Sequence, residues 1–378
     1  MIYLDNASTS FPKPEEVYTE IIGCLKNYAS DPRNQYYSLG SKASKKINET
    51  RALIGNMYNI KNPSNIIFTS GATESLNIAI KGLLKQKDHV ISTIIEHNSV
   101  LRPLKYLNKR GVQVTLVGVD ENGLINISDI KKEIRKNTKA IIVNHGSNVL
   151  GTIQDIESIG KLADENNIAF ILDAAQTAGI VPIDVDKAKI DILAFSGHKG
   201  LYGPQGIGGL YIKEGVLLEN FKDGSTGSDE QSMSQPEILP YKFESGMLNL
   251  PGIVGLSEGI KFVNKVGAEN IRKQEQTLVN YLYEELAKLS YVKIYGYLDT
   301  KYRCPLLSIN IEGKNSVTVG ALFNEKDIAV ETGYHSTPLI HGIMGTYDTG
   351  TIRISPGYFN TIEEITVLIK TIKEIYWK

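Results

Sequence analysis

Two side chains able to do covalent chemistry follow short apolar runs. Asp173 closes the run 168–172 (IAFIL), and Lys199 follows 192–195 (ILAF) through Ser196, Gly197 and His198. Apolar runs this short read as buried strands rather than helices. In an open α/β sheet the ligand lies outside the carboxyl ends of the strands, where both residues fall. A lysine amine can form a Schiff base with an aldehyde cofactor such as pyridoxal phosphate (PLP). A carboxylate can hold the pyridinium nitrogen protonated, so that the ring acts as an electron sink. A lone Asp or Lys has structural or solvated uses, so the reading depends on its company.

That company sits at other strand ends. Gly71, Ala72, Thr73 and Glu74 join an expected strand, 65–70, to an expected helix, 75–84. A strand, a glycine turn and a helix N-terminus make an anion site suited to a phosphate, because free backbone N–H groups and the helix dipole face it. His97 follows strand 89–93 and can serve a planar ring as aromatic partner and proton shuttle. His145 to Asn148 follow strand 140–144. The strand ends thus gather Thr73, His97, Asn148, Asp173, Gln176, Ser196, His198 and Lys199.

The elements that must position them alternate. Strands and helices succeed one another from about residue 65 to 212, the pattern of an α/β unit with a mainly parallel central sheet. Helices are expected at 15–27 and 42–58 before it. Residues 214–250 break the alternation with a long loop rich in Gly, Ser, Asp, Gln and Pro, and long loops in compact domains are usually functional. Helices at 252–266, 268–289, 316–324 and 361–376, with strands at 292–295, 306–311 and 328–331, make a smaller α+β segment that also recruits strand 2–4. The expected division is a large PLP-binding domain, 15–252, and a small domain from 1–14 and 253–378.

Composition narrows the function. Of 378 residues, 41 are Lys or Arg and 42 Asp or Glu, a net charge of −1, so no strong field draws nucleic acid or an anionic membrane. Cys24 and Cys304 are the two cysteines, too few for a disulfide framework or a metal-ligand spacing. No apolar run suits a transmembrane helix, and the N-terminus lacks the features of a signal peptide. The expected partner is a small molecule in the cytoplasm, with no metal.

Several motifs together resemble the cysteine desulfurases of the class V aminotransferase group, fold-type I PLP enzymes, over essentially the whole chain. They are 3–10 (YLDNASTS), 68–75 (FTSGATES), 96–103 (EHNSVLRP), 173–176 (DAAQ), 196–199 (SGHK), 202–204 (YGP) and 352–358 (IRISPGY). The resemblance implies that Lys199 carries PLP as an imine and shuttles the Cα proton. It implies that Asp173 pairs with the ring nitrogen, Gln176 bonds the ring hydroxyl and His97 stacks on the ring. Gly71, Ala72, Thr73, Ser196 and His198 would hold the phosphate. Asn148 and Arg353 would grip a substrate carboxylate, for which arginine offers a planar bidentate fit. A homodimer with sites at the subunit interface is implied as well.

The chain departs from that pattern where sulfur chemistry is decided. Residues 331–339 read ETGYHSTPL, where the family usually has Arg at 331 and, at 336, the cysteine that takes sulfur as a persulfide. A serine hydroxyl is not a thiolate nucleophile near neutral pH and carries no persulfide. Cys304 reads as a strand-entry residue and Cys24 as part of a helix. Met247 stands where the family usually places a Thr reaching the partner subunit's phosphate, with Thr226 or Ser225 as possible replacements. Because Glu331 departs along with Ser336, natural divergence is favoured over one inactivating change.

The expectation is a PLP-dependent lyase acting on a sulfur-bearing or other β-substituted amino acid by β-elimination. In it, Ser336 or His335 positions or protonates the leaving group, and Glu331 favours a cationic or donor-rich substrate end. A cysteine desulfurase, with a sulfur-acceptor protein as partner, stays open. So do transamination or epimerisation, and a catalytically retired paralogue acting as a binding partner.

Overall fold

Strands buried on both faces build the larger sheet. The computed structural model describes residues 1–378 except Glu230, Tyr297, Leu298, Thr300, Lys301 and Lys378. In chain order the elements begin with β1 (Ile2–Tyr3), α1 (Glu15–Asn27), α2 (Ser38–Tyr58), β2 (Ile66–Thr69), α3 (Ala72–Leu83), β3 (His89–Thr93), α4 (Asn98–Asn108) and β4 (Gln113–Val117). Next come α5 (Ile127–Lys132), β5 (Thr138–Asn144), α6 (Ile156–Glu165), β6 (Ala169–Asp173), β7 (Ile192–Ser196), β8 (Gly208–Ile212), α7 (Leu250–Val266) and α8 (Ala268–Leu286). The chain ends with β9 (Val292–Tyr295), β10 (Leu307–Ile311), α9 (Ser316–Asn324), β11 (Ile328–Ala329), β12 (Glu331–Gly333), α10 (Ile340–Met344), β13 (Thr351–Ile354) and α11 (Ile362–Tyr376).

The large sheet runs β2-β8-β7-β6-β5-β3-β4. Its pairs are parallel from β7 through β4, while β8 is antiparallel to both neighbours. Successive side chains of one strand enter different cores, as a period of two requires. Phe170 and Leu172 join the core under α2, α6 and α7, while Ile171 joins the one under α3 and α4. Leu193 and Phe195 divide from Ile192 and Ala194 in the same way. Continuous apolar runs are therefore the mark of a sheet covered on both faces.

The parallel order brings the carboxyl ends of β3, β5, β6 and β7 to one edge. Their last residues are Thr93, Asn144, Asp173 and Ser196, and Asn144 lies directly beside Asp173 in register. The expected strand 328–331 is instead two, because its halves have different partners. β11 pairs in parallel with β1, whereas β12 pairs with β13 in an antiparallel sheet of order β12-β13-β10-β9. That sheet packs with α8, α9 and α11 around a third core, to which Leu4 contributes. Helix α7 was expected with the C-terminal segment, but Ile253, Val254, Leu256 and Ile260 lie in the large core beside α2. Among the described residues the stretch between β8 and α7 holds no helix or strand, as its composition leads one to expect.

Candidate active site

A cavity of about 280 Å³ opens at the shared edge of the large sheet and is closed on one side by the C-terminal sheet. Every site residue expected from the sequence lines it except Gly71, which stands at its rim as the N-cap of α3.

The anion cradle follows from backbone geometry. Helix α3 begins at Ala72, three residues earlier than its apolar periodicity suggests, because Gly71 adopts φ +152°, a region open essentially to glycine. Ser196 Oγ accepts the Ala72 amide at 3.2 Å. Among the described residues no backbone acceptor takes the first-turn amides of Thr73 and Glu74. Strand β8 approaches so closely that a Cβ on Gly208 would lie 2.6 Å from Gly71 Cα. The turn is therefore held from below.

Lys199 and Asp173 face the same space. Burial, helped by the Arg353 charge, pushes the Lys199 amine down to about 8, so its nucleophilic form is populated near neutrality. Burial raises the Asp173 carboxyl, while the Ala175 amide and Lys199 act the other way. Asp173 Oδ1 accepts that amide at 2.9 Å. A cation brought beside Asp173, such as a pyridinium nitrogen, would favour its charged form.

His97 caps α4, and its Nδ1 accepts the Ser99 amide at 3.0 Å. The proton of the neutral ring is thereby placed on Nε2. Burial, then Lys199, pushes the imidazole down to about 4, so it stays neutral at working pH. His198 is likewise pushed down to about 4, by burial first. Gln176 donates to Ala7 O at 3.0 Å from within the cavity wall.

The far wall comes from the C-terminal sheet. Arg353 is buried, and its Nη2 donates to Asp5 Oδ1 at 2.9 Å and to Ser8 Oγ at 2.8 Å. It also pairs with the Glu331 carboxylate. Nη1 donates to Asn148 O at 3.1 Å. Asn148 spends its amide on the 335–337 turn: Nδ2 donates to His335 O at 2.6 Å, and Oδ1 accepts from Thr337 Oγ1 at 2.7 Å. Both residues expected to grip a substrate carboxylate are thus engaged by the protein itself.

His335 is buried and lowered by burial. Its Nε2 lies 2.8 Å from Thr351 Oγ1, and its Nδ1 lies 3.6 Å from Glu331 Oε1. His335 and Ser336 both adopt left-handed backbone, φ +49° and +57°, and Ser336 O accepts the Asn98 amide at 2.8 Å. Ser336 remains exposed at the cavity mouth.

Asp5, Ser8, Ser99 and Glu96 were not singled out from sequence. The first two sit in the motif 3–10 and the other two in the motif 96–103, which carried the resemblance without a role for these side chains. Glu96 is buried beneath the site, where burial pushes its carboxyl up to about 8. A charged residue between a strand and a cap was the available signal. Met247 and Thr226 line a separate cavity of about 430 Å³.

Free first-turn amides, a lysine amine lowered toward neutrality, a buried carboxylate and a neutral imidazole suit a phosphorylated pyridine aldehyde. Fold and site together define a PLP-dependent α/β enzyme. The chain belongs to the aminotransferase class-V family, whose model matches residues 2–368, and PLP is the cofactor of that family. A probable cysteine desulfurase of Methanothermobacter thermautotrophicus is 34% identical over 381 residues, covering 99% of this chain and 94% of the relative. One from Pyrococcus abyssi is 33% identical over 388 residues, with 99% and 94% covered. The apo structure of a cysteine desulfurase from Thermococcus onnurineus NA1 matches with a TM-score of 0.94 at 32% identity, covering 100% of this chain and 94% of that one.

Proposed function

We propose that this chain is a PLP-dependent lyase that expels the β-substituent, sulfur-bearing in the first instance, of a small amino acid or amine without a thiol carrier. The observation that carries this reading is the placement of sulfur. Ser336 stands at the cavity mouth, where the resemblance has a cysteine. Cys24 and Cys304 are buried, and burial pushes the Cys304 thiol up to about 12. A protonated, enclosed thiol is a poor nucleophile and a poor persulfide carrier.

The bound cofactor supplies an electron sink for the pair left at Cα. Asp173 would hold the ring nitrogen, Thr73, Ser196 and the α3 amides the phosphate, and neutral His97 the ring face. Lys199 takes the Cα proton. The β-substituent leaves as a thiolate with its bonding pair. His335 is buried with its Nε2 taken by Thr351, whereas Ser336 is exposed at the cavity mouth, so Ser336 is the hydroxyl placed to assist the departing sulfur. Water then releases the remaining fragment as a carbonyl compound and ammonia.

The names of the relatives favour a second reading, desulfuration to alanine with a sulfur-acceptor protein. Product analysis of the PLP-loaded protein with L-cysteine separates the two. Pyruvate, ammonia and sulfide, formed at saturating L-cysteine, are the products that mark elimination. Alanine with sulfane sulfur would sink the lyase reading.

We also propose, as the family resemblance implies, that the enzyme is a cytoplasmic homodimer. Tyr36, Met233, Ile238 and Met247 are exposed apolar side chains of the kind that interfaces cover. Light scattering should give twice the monomer mass, and a monomer at micromolar concentration would refute the dimer.

A further inference from the structure

Resting on the lyase reading, we propose that the site takes a primary amine bearing a β-leaving group and no α-carboxylate, because Glu331 already fills the carboxylate place on Arg353.

The charges at that end of the cavity are closed among themselves. One guanidinium meets two carboxylates, Asp5 and Glu331. Ser8 Oγ joins both, lying 2.9 Å from Asp5 Oδ1 and 2.9 Å from Glu331 Oε2. The remaining Arg353 nitrogen, Nε, is buried and has no hydrogen-bond partner among the described residues. Arg353 set against Asp5 and Glu331 leaves one net negative charge on these three side chains. An arriving substrate carboxylate would be the third on one guanidinium, and like charges so placed repel strongly in a partly desolvated site. Asn148, the other expected carboxylate partner, has its amide committed to the 335–337 turn.

The Glu331 carboxylate is delivered by sheet register. Glu331 stands directly opposite Arg353 across β12 and β13, and Asp5 is fixed by its bridge to Ser355. Cross-strand partners of opposite charge support one another. Burial works against charge on Glu331, but His335, Arg353 and Ser8 outweigh it and hold the carboxyl down to about 2. Glu331 therefore stays an anion on Arg353 throughout the working pH range. A neutral carbon, or a further cation, at the substrate position meets no repulsion there.

The test titrates PLP-loaded protein with 2-(methylthio)ethylamine and with S-methyl-L-cysteine, following the cofactor absorbance band. The two compounds differ by the carboxylate alone. The amine should move the band at a concentration about tenfold lower or more, and Glu331→Arg should narrow or invert that preference. Equal or tighter binding of the amino acid by the wild-type protein overturns the proposal, as does a band that neither compound moves. If Glu331→Arg does not fold, the wild-type comparison decides alone. Methanethiol release, measured in parallel, speaks to the lyase reading separately. Amine preference without methanethiol would leave this inference standing and the lyase reading failed. Methanethiol with pyruvate and ammonia from S-methyl-L-cysteine at the lower concentration would do the reverse.

Discussion

Burial first, and the Arg353 charge second, lower the Lys199 amine to about 8. The ordinary lysine value is about 10.4, so cofactor attachment to the apoprotein should accelerate as pH rises through about 8, well before an exposed lysine would lose its proton. Stopped-flow absorbance of PLP addition between pH 6 and 10 measures the midpoint, and one near 10.4 would mean the amine is not lowered. Lys199→Ala removes the one lysine amine that lines the cavity among the described residues. Borohydride reduction and peptide mapping should place the cofactor mass on Lys199 in the wild-type protein and on no lysine in the variant. Turnover should fall by about a thousandfold or more, as expected when a nucleophile and proton carrier is lost.

Among the elements, the β2–α3 turn depends most on backbone shape. Gly71 supplies a conformation few residues adopt, and Gly208 lets β8 pass beneath it. The Gly208→Ala methyl would meet backbone, at 2.6 Å from Gly71 Cα and 2.6 Å from Phe195 O, and backbone cannot turn aside as a flexible side chain can. The variant should lose about 1–3 kcal/mol of stability, the usual range for overpacking, and hold PLP more weakly because the first-turn amides shift. Denaturant midpoints of the apoprotein and a fluorescence titration with PLP report the two effects, and an unchanged PLP affinity would show that the cradle tolerates the shift.

For the molecule as a whole, Arg353 is a junction. It joins the N-terminal segment at Asp5 and Ser8, the large sheet's loop at Asn148, and the C-terminal sheet at Glu331. Arg353→Met would leave two half-buried carboxylates facing each other, and because solvent reaches them the cost should fall below the about 3–5 kcal/mol of a fully buried pair. The sign with pH follows. Glu331 is depressed to about 2 from an ordinary 4.5, so its pairing stabilises the native protein above 4.5 and the contribution is lost as pH falls through about 2. Without Arg353 the carboxyls protonate more readily, and the deficit of the variant should be large at pH 7 and smaller near pH 4. Urea unfolding at the two pH values measures this, and an equal deficit at both would mean the loss is packing rather than charge.

Lys199, Asp173, His97 and the α3 cradle were legible in the sequence because each depends on a local event. An apolar run ends, the chain leaves a sheet, and the next polar residue lies at the edge where ligands bind. The same locality made the alternation of strands and helices readable from 65 to 212. Boundaries such as Ala72 for α3 were missed because caps, not apolar periodicity, decide where a helix starts. The partnership of Glu331 with Arg353 and Asp5 was not legible. Asp5 and Arg353 lie 348 positions apart in the chain, and the split of 328–331 into β11 and β12 depends on which strands come to lie beside them. Pairing partners and register are set by packing between distant segments, and no residue spacing along the chain encodes them. The sequence by itself determined which residues could hold the cofactor and move a proton. The tertiary structure alone decided that the expected carboxylate grip is already filled.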